Sequence, residues 1–338
     1  MNMEKKGVAV VVTLLNEEKN LPAFLNSLLH QTRTPEEIIL VDGGSRDRSC
    51  EVIWQYISNG VPIKLMLAKG ANRSKGRNAG IAATKQPIIA SCDVGCRLLK
   101  DWLEKIVAPL EAGTCEVAGG YYMPDTYLLM ERAVAAATIP VVTEVDPKSF
   151  LPSSRSIAFL RTVWEKVGGY PEAYSMNEDT VFDLALRRAG ARFVLVPEAL
   201  VLWKQHGKLK DLYSQYFRYA RGDAGAGVSF AHYAKASFLV FWLGLLFVLT
   251  LSLIFVLPLV SKWAFRLLLL TVLVYAARYL LRSRKRGWDW PAALLSPVAM
   301  MVVDFANFMG YQKGKSEKRK GSEAPASPGR GAPPAKRS

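Results

Sequence analysis

The sequence is poor in the side chains that build metal centres and disulfide frameworks. Its 338 residues include only four cysteines and three histidines. Cys92 and Cys96 have no second pair at the spacing of a zinc site, and the histidines are scattered. This pattern excludes a Cys/His zinc site of ordinary spacing and predicts cysteines that act as small buried apolar residues in a reducing compartment.

A cleavable leader and a phosphate-binding P-loop are also missing. The apolar run that follows the basic start meets "NEEKN" directly, without a small-residue cleavage site. We therefore expect a first buried strand rather than a signal peptide. The lack of a P-loop disfavours a nucleotidyltransferase-like enzyme.

Negative charge is scarce, with 29 Asp and Glu against 44 Lys and Arg and a net charge of +15. From Lys313 onward there are eight basic residues against two Glu, and Arg282, Arg284, Lys285 and Arg286 form a second cluster beside apolar segments. Anionic lipid attracts such clusters. The distribution favours a membrane surface, and no motif supports a nucleic acid partner.

Two long apolar segments predict transmembrane helices within residues 236–281. The first, "ASFLVFWLGLLFVLTLSLIFVLPLVS", is uncharged and exceeds the roughly 20 residues that cross a bilayer core. The second carries Arg266 and Arg278 near its ends, where long side chains reach the headgroups. The turn between them contains only Lys262, whereas "RSRKR" follows, which predicts a multi-pass protein of the cell membrane with its N-terminal part in the cytoplasm.

Three flanking segments complete this organisation. Residues 207–221 are basic and aromatic and predict an amphipathic helix at the membrane interface. Residues 288–312 are shorter, contain Pro297 and end in polar residues, so we expect an interfacial or re-entrant segment. Residues 313–338 have few bulky apolar side chains and predict a disordered basic tail.

The chain before these segments predicts an α/β domain over residues 1–225. From Gly7 to about Leu202, short β-branched runs alternate with amphipathic stretches, which is typical of a mainly parallel sheet covered by helices. The predicted strands are "GVAVVVTLL", "EIILVD", "PIKLMLA" and "PIIASCD", and the predicted helices cover 21–30, 45–57, 77–84 and 101–110.

Polar residues follow three of these strands, near Asn16, Asp42 and Asp93. Open α/β sheets bind ligands at the carboxyl ends of their strands, so the pattern predicts one site there. The glycine turn after Asp42 leads to a predicted helix start at Ser45, and capping of this turn is the alternative role for Asp42.

Charged residues before two predicted helices are further candidates. Lys75 and Arg77 precede a helix whose N-terminus favours anions, although solvation alone would explain Lys75. Glu178 and Asp179 precede an amphipathic helix, and carboxylates there stay ionised at neutral pH. Simple capping of that helix is the alternative.

Several motifs together resemble the family 2 glycosyltransferases, inverting enzymes with the Rossmann-like GT-A fold, in their membrane-anchored bacterial form. In order, they are "VVTLLNEEKNL", "EIILVDGGSRDRS", "GRNAGI", the strand ending in Asp93, "GGYPE", "NEDTVFDLALRRAG" and "QYFRY". The resemblance covers roughly Gly7 to Arg221, and it implies a GT-A domain followed by transmembrane helices.

The resemblance implies roles for the donor side of the site. Asp42 should hold the nucleotide base with Asn16 and Glu17 beside it, and Arg77 should contact the diphosphate. Arg155 should touch donor phosphate or acceptor, with packing or a surface ion pair as the alternative.

The "QYFRY" segment resembles the Q-x-x-R-W signature of processive synthases. Gln215 and Arg218 match this signature, whereas Tyr219 replaces its tryptophan. This departure weakens the case for processive synthesis. Arg218 would clamp the diphosphate, or contact a lipid headgroup instead.

The resemblance also implies the catalytic carboxylates and a metal. Asp179 should be the base, with Glu178 in support. Asp93 should hold Mg²⁺ or Mn²⁺, but Gly95 stands where the family usually has a second acid. One carboxylate gives a weaker metal site unless phosphates or water complete it.

The sequence therefore predicts a membrane enzyme that moves a sugar from a nucleotide-sugar donor to a lipid-linked or other glycan acceptor near the bilayer. Two spans are too few to form a polysaccharide channel alone. A catalytically inactive GT-A scaffold, suggested by Gly95, and a nucleotidyltransferase-like enzyme are the alternatives.

Overall fold

Eight strands form one mixed sheet in the computed structural model, which describes residues 6–174, 176–227, 230–252 and 257–323. The strands are β1 Val8–Leu14, β2 Glu37–Asp42, β3 Ile63–Leu67, β4 Ile88–Cys92, β5 Cys96–Leu98, β6 Val117–Asp125, β7 Ser156–Leu160 and β8 Phe193–Lys204. The helices are α1 Leu21–Leu29, α2 Ser49–Ser58, α3 Arg73–Ala82, α4 Trp102–Glu111, α5 Leu129–Thr138, α6 Arg161–Val167, α7 Glu178–Arg188, α8 Leu209–Ala226, α9 Phe230–Ser252, α10 Pro258–Lys285 and α11 Trp290–Glu323, with a 3₁₀ turn at Val142–Glu144.

The strand order is β3-β2-β1-β4-β7-β6-β8-β5. The four strands that the sequence predicts form the parallel half, since β1 pairs in parallel with β2 and β4, and β2 pairs in parallel with β3. The other half is mixed because β7 runs antiparallel to β4 and β6. The predicted α/β class, with a mostly parallel Rossmann-like sheet, is confirmed.

Both faces of the sheet are covered, which explains why β1 is an uninterrupted apolar run. Val8, Val10 and Val12 are buried on one face, and Ala9 and Val11 on the other. Strands buried on both faces lose the polar alternation of exposed sheets. The polar side chains that lie beyond the strand ends are therefore the ones available for a site.

Two helix starts differ from the sequence prediction. α2 begins at Ser49 rather than Ser45, because the Ser45 N–H and hydroxyl both donate to Asp42 in the preceding turn. α3 begins at Arg73, where the Asn72 side chain accepts a hydrogen bond from the Lys75 N–H at 2.9 Å. Lys75 therefore lies in the first helical turn and not in a loop before the helix.

Three C-terminal helices are long and apolar enough to cross a bilayer, over Tyr233–Ser252, Pro258–Lys285 and Trp290–Arg319. The first two match the segments predicted as spans and are mostly exposed, whereas half of the apolar part of the third is buried. α11 is continuous through Pro297, and the interfacial or re-entrant placement of residues 288–312 stays a prediction. The expectation of disorder is wrong for residues 313–323, which are helical; residues 324–338 lie outside the described ranges.

Close packing against α8 explains why α11 extends so far. A side chain at Gly310 would overlap the Phe217 carbonyl, and one at Gly314 would overlap the Arg221 carbonyl. These glycines, four residues apart, let the two helix backbones touch. α11 is thus held along its length by the domain that it follows.

The opposite face of α11 is apolar and exposed. Its exposed side chains follow helical spacing and are Trp290, Leu294, Val298, Met301, Phe305 and Met309. On the buried face, Ala299 and Val303 pack in one cluster with Leu212 of α8 and Val134 of α5. The helix predicted at 207–221 is therefore α8, and it packs against α11.

Candidate active site

Two adjoining cavities open where the strands of the parallel half end. The larger, which we call the cationic cleft, has a volume of 590 Å³ and is lined by residues of β1, β2, α3 and α8. The smaller, the acidic pocket, has a volume of 320 Å³ and is lined by residues of α7, α8, α9 and α11. Five residues line both cavities and form what we call the shared wall: Arg73, Asp93, Arg155, Met176 and Tyr219.

Asp93 stands at this wall because β4 ends immediately before it. Its Oδ1 accepts a hydrogen bond from Arg77 Nη2 at 3.3 Å. Burial raises the pKa of the Asp93 carboxyl, but the guanidinium groups of Arg77, Arg155 and Arg73 more than offset this, and the net pKa lies below its usual value. Asp93 is therefore a carboxylate at neutral pH.

Arg77 bridges two carboxylates that are far apart in sequence. It is 2% exposed, and its Nη1 donates to Glu178 Oε1 at 2.8 Å while Nη2 donates to Asp93. Its guanidinium also lies 5.3 Å from the centre of the Tyr170 ring. With two of its nitrogens engaged in this way, Arg77 holds both carboxylates in place. Its predicted contact with diphosphate stays a prediction.

Arg155 and Arg73 are two further cations at the shared wall. Arg155 donates to the Tyr219 hydroxyl at 2.8 Å and to Ser153 Oγ at 2.9 Å, and it stacks 4.1 Å from the Trp203 ring. Among the described residues, Arg73 makes one side-chain hydrogen bond, to the sulfur of Met176 at 3.8 Å. Within the described residues, neither guanidinium forms an ion pair with a carboxylate, so both charges remain available to an anion at the shared wall.

The start of α7 presents Asp179 to the acidic pocket. Asn177, the residue before the helix, has a left-handed backbone with φ of 59°. Its side-chain amide donates to Asp223 of α8, which also accepts from the Tyr233 hydroxyl of α9. Glu178 is buried against Arg77, whereas Asp179 is half-buried and lines the pocket.

The two cavities carry opposite charge. The cationic cleft has four cations, Arg73, Arg155, Lys204 and Arg218, against the carboxylates of Glu17 and Asp93. Burial lowers the pKa of His206 in the same cleft, so this ring is neutral at neutral pH. Beyond the shared wall, the acidic pocket adds three carboxylates, Glu178, Asp179 and Asp223, against Arg77 alone. An anion therefore prefers the cleft over the pocket.

Two of the predicted site residues bind neighbouring loops instead of lining a cavity. Asp42 Oδ2 accepts from the N–H groups of Gly44 and Ser45, each at 2.9 Å. Asn16 Oδ1 accepts from the Arg46 N–H at 2.8 Å. This is the capping arrangement that the sequence left open for Asp42. The predicted contact of both residues with a nucleotide base stays a prediction.

The other predicted residues come together. Glu17 lines the cationic cleft, and burial is the main cause that raises its carboxyl pKa. Gln215 and Arg218 line the same cleft, and Gln215 donates to the Tyr219 hydroxyl at 2.9 Å. That hydroxyl, which the tryptophan of the resembled signature would lack, links Gln215 to Arg155.

The residues at Asp93 fit a divalent cation only in part. Gly95 offers no second acid, and the described part of the chain contains no group of three His, Cys, Asp or Glu that could hold a metal. One Asp93 oxygen is engaged by Arg77, which leaves Oδ2 for a ligand. Mg²⁺ is often held by one or two carboxylates together with substrate phosphates. Asp93 fits that arrangement as the one protein ligand, and the phosphates of a bound donor would supply other oxygen ligands.

Sequence reasoning missed Arg73, Tyr233 and Asn307. Arg73 opens "RSKGRNAG", and its position at a helix N-terminus was the available signal. Tyr233 and Asn307 belong to helices that the sequence assigned to the membrane, yet both line the acidic pocket. A polar residue within an apolar helix is often functional, so Asn307 could have been identified.

Comparison with known sequences places these features in a family. The Glycosyl transferase family 2 matches residues 9–140, and the Glycosyl transferase family group 2 matches residues 91–281. The succinoglycan biosynthesis protein ExoA of Rhizobium meliloti (strain 1021) is 25% identical over 253 residues, which cover 64% of this chain and 68% of the relative. An undecaprenyl-phosphate 4-deoxy-4-formamido-L-arabinose transferase of Pectobacterium carotovorum subsp. carotovorum (strain PC1) is 39% identical over 87 residues, 25% of this chain and 26% of the relative.

A solved structure supports the fold. The mannosyltransferase PcManGT from Pyrobaculum calidifontis, in complex with GDP-Man and Mn²⁺, has a TM-score of 0.53 to this chain. The match covers 90% of this chain and 87% of that protein at 16% sequence identity. At this identity the likeness concerns the fold alone.

Proposed function

Since the chain belongs to the family 2 glycosyltransferases, we propose that it transfers a sugar, with inversion, from a nucleoside diphosphate sugar to a lipid-linked acceptor at the bilayer. Membership in this family supports a glycosyltransferase enzyme, so the nucleotidyltransferase-like alternative loses its support. The class of donor, the class of acceptor and the inversion at the anomeric carbon are our proposals, and they go beyond family membership.

The opposite charges of the two cavities carry the proposal. A diphosphate leaving group needs cations, and the cationic cleft provides Arg73, Arg155 and Arg218. An attacking hydroxyl needs a base, and Asp179 stands in the adjoining pocket. The shared wall at Asp93 and Arg155 is where the anomeric carbon would lie between leaving group and nucleophile. Attack from the pocket on a sugar whose diphosphate occupies the cleft would invert the anomeric centre.

Each residue then has a distinct task in the transfer. Arg155 and Arg73 stabilise the negative charge that develops on the departing diphosphate. Asp179 accepts the proton of the acceptor hydroxyl, and Glu178, held by Arg77, fixes the start of α7. A bound Mg²⁺ or Mn²⁺ ion would supply further charge neutralisation at the phosphates, held on the protein side by Asp93.

The helices support an acceptor that reaches the site from the membrane. Tyr233 of α9 and Asn307 of α11 line the acidic pocket, so segments apolar enough to cross a bilayer form one of its walls. One relative is an undecaprenyl-phosphate 4-deoxy-4-formamido-L-arabinose transferase, and undecaprenyl phosphate is a membrane lipid. A site beside the bilayer would also raise the effective concentration of a lipid acceptor.

The proposed arrangement in the membrane has two spans, α9 and α10, and an interfacial α11. The exposed apolar stripe of α11 faces lipid, and its opposite face packs on α8 and α5. The basic end of α10, at Arg282, Arg284 and Lys285, then lies on the cytoplasmic side together with the sheet domain. Residues 1–225 thus form the catalytic domain of a multi-pass protein of the cell membrane.

Donor binding and turnover by the full chain in lipid nanodiscs test this function. Calorimetric titration with UDP and GDP, with and without Mn²⁺, should identify a nucleoside diphosphate that binds. The matching nucleotide sugar should then be consumed by the wild type and not by Asp179→Asn. If neither nucleotide binds, and no nucleotide sugar of either base is consumed, the proposed function is wrong.

A further inference from the structure

We propose that the connection between β6 and α5 inserts into the surface of an anionic bilayer, so that the sheet domain itself contacts lipid. The inserting residues are Tyr127, Leu128 and Leu129, which we call the apolar turn. This inference rests on the proposed arrangement of α10 and α11 in the membrane and adds a contact made by the catalytic domain. It does not depend on which donor or acceptor the enzyme uses.

The apolar turn holds three consecutive apolar side chains away from the protein. Tyr127 is 70% exposed, Leu128 is 59% exposed and Leu129 is 40% exposed. The buried Glu131 carboxylate accepts from the N–H groups of Tyr127 at 2.8 Å and Leu128 at 3.0 Å. The Tyr127 hydroxyl accepts from Arg97 Nη2 at 3.1 Å. A turn fixed in this way presents its apolar side chains outward, and such exposed groups mark contact surfaces.

The apolar turn adjoins the exposed apolar stripe of α11. Leu129 and Arg132 lie three residues apart on α5, so their side chains are neighbours on the helix surface. Arg132 Nε lies 3.2 Å from Asp289 Oδ2, and Asp289 directly precedes Trp290, where the stripe begins. A bilayer that covers the start of this stripe would therefore reach the apolar turn as well.

Positive charge flanks the apolar turn at the start of α8. A Cβ placed on Gly207 would lie 3.5 Å from Leu128 Cδ1, so the two chain segments are in contact there. Lys208 and Lys210 follow this glycine and are both exposed. Lysines beside inserted apolar side chains favour a membrane surface that carries anionic lipid.

The basic end of α10 borders the same surface and favours lipid over a protein partner. Arg284 stacks 4.4 Å from the Trp290 ring. Tryptophan and tyrosine are enriched where a membrane meets water, and basic residues are typical of the cytoplasmic side. An acidic protein could pair with these cations, but the surface continues into α10 and α11, which are apolar enough to cross a bilayer. A bilayer would cover the whole of this surface.

The test places a nitroxide label at Leu128→Cys of the full chain in nanodiscs that contain phosphatidylglycerol. Cys50→Ser provides the background, because Cys50 is half-buried and the other three cysteines are buried. Power saturation compares collisions of the label with oxygen, which concentrates in lipid, and with a nickel complex, which stays in water. The label should favour oxygen, as should one at Leu294→Cys on the stripe of α11. The control is Trp54→Cys, an equally apolar site that is 54% exposed on α2 and should favour nickel.

Three results would overturn the inference. One is a nickel response at Leu128→Cys equal to that at Trp54→Cys, which means that the turn lies in water. Another is weak collision with both reagents, which means that a protein covers the turn, and dipolar broadening would identify a second copy of this chain. The third is a nickel response at both Leu128→Cys and Leu294→Cys, which also removes the proposed placement of α11. Donor consumption, assayed on the same samples, reports on the enzyme function separately.

A pair of charge substitutions tests whether the leucines hold the turn in lipid. Leu128→Glu/Leu129→Glu should shift a label at Tyr127→Cys from oxygen to nickel, because carboxylates are costly in lipid and anionic headgroups repel them. Leu128→Met/Leu129→Met keeps apolar side chains and should leave the label in lipid. Unfolding temperatures confirm that both variants are folded. An unchanged oxygen preference in the folded glutamate variant overturns the role of the leucines.

Discussion

Arg77 and Glu178, 101 residues apart in sequence, are joined by a buried hydrogen bond of 2.8 Å between Nη1 and Oε1. This pair connects the helix after β3 with the helix that carries Asp179. Because the same guanidinium also holds Asp93, one side chain sets the spacing between the shared wall and the proposed base. The relative position of Asp93 and the start of α7 therefore depends on one buried arginine.

Removing Arg77 should therefore destabilise the domain and the site together. Arg77→Met leaves Glu178 buried without a partner, and breaking a buried ion pair in this way costs about 3–5 kcal/mol in unfolding free energy. The double variant Arg77→Met/Glu178→Gln should be less destabilised than Arg77→Met alone. Denaturant unfolding in detergent measures both, and a loss below about 1 kcal/mol in Arg77→Met would contradict the buried pairing.

Arg155 should contribute directly to nucleoside diphosphate affinity. Arg155→Gln removes a charge at the shared wall, and hydrogen bonds to charged groups are worth about 1.5–3 kcal/mol, so the Kd should rise roughly 10- to 150-fold. Calorimetric titration with UDP and GDP measures the effect. The control is Arg192→Gln, an exposed arginine paired with Glu116 at another part of the sheet. Equal affinity in the two variants would refute the assignment.

A second acid at position 95 should strengthen metal binding. Nothing lies within 4 Å of a Cβ placed on Gly95, so Gly95→Asp fits without strain. The added carboxylate should lower the Kd for Mn²⁺ roughly 10-fold in the presence of nucleoside diphosphate, because site charge tunes affinity. Electron paramagnetic resonance of free Mn²⁺ gives the binding curve. Gly95→Asn, with the same shape and no charge, should show little gain; an identical gain in both would rule out a charge effect.

Asp183 should make stability fall as pH rises. It is fully buried, its two carboxyl oxygens have no hydrogen-bond partner among the described residues, and burial followed by nearby Asp179 raises its pKa far above the usual value. Above about pH 4 the unfolded chain releases this proton while the folded chain keeps it, so the unfolding free energy drops with increasing pH, by at most about 1.4 kcal/mol per pH unit.

Asp183→Asn removes this dependence because an amide does not ionise. Its melting temperature should exceed that of the wild type at pH 7, and the gap should shrink as the pH falls toward about 4, near the pKa of an unperturbed Asp. Calorimetry at several pH values supplies the comparison. A gap that stays constant between pH 4 and 7 would mean that Asp183 is ionised in the folded protein.

The contact between α11 and α8 should be essential to the acidic pocket. Gly310→Val would drive a side chain into the Phe217 carbonyl and push α11 away, with a cost of about 1–3 kcal/mol for such overpacking. Because Asn307 lies one turn earlier on α11, acceptor use should fall more than nucleotide binding does. Gly244→Val in α9, where nothing lies within 4 Å, is the control. Similar losses in both variants would remove the special role of this contact.

The sequence was informative where local pattern and burial agree. The four strands of the parallel half follow from apolar runs, and the position of Asp93 follows from the polar residues that come after three of these runs. The strand pairing of the mixed half was not predicted, because β7 pairs with β4 across more than sixty residues of sequence and no local pattern encodes that partner. Likewise, the motifs indicated Arg77 but not its bond to Glu178, which only tertiary packing creates.

The C-terminal helices show the same limit more sharply. Composition correctly predicted apolar helices. It indicated only that the segments of Asn307 and Tyr233 lie at the membrane, and not that these two side chains line a pocket. Asn307 lines the pocket of Asp179 on a helix that packs against α8 through Gly310 and Gly314, and the importance of these glycines appears only in the packed structure. A glycine in an apolar helix can lie at a close helix contact, as Gly310 does, or in open space, as Gly244 does. The sequence alone does not distinguish these two cases.

The late position of Asn307 in the chain affects when the enzyme can begin to work. During synthesis, the strands, Asp93, Arg155 and Asp179 all leave the ribosome before α11 does. The wall of the acidic pocket is incomplete until α11 has been made through Gly314 and has docked on α8. A nascent polypeptide could thus hold nucleotide yet lack its acceptor site, so sugar transfer would start only after insertion into the bilayer is complete.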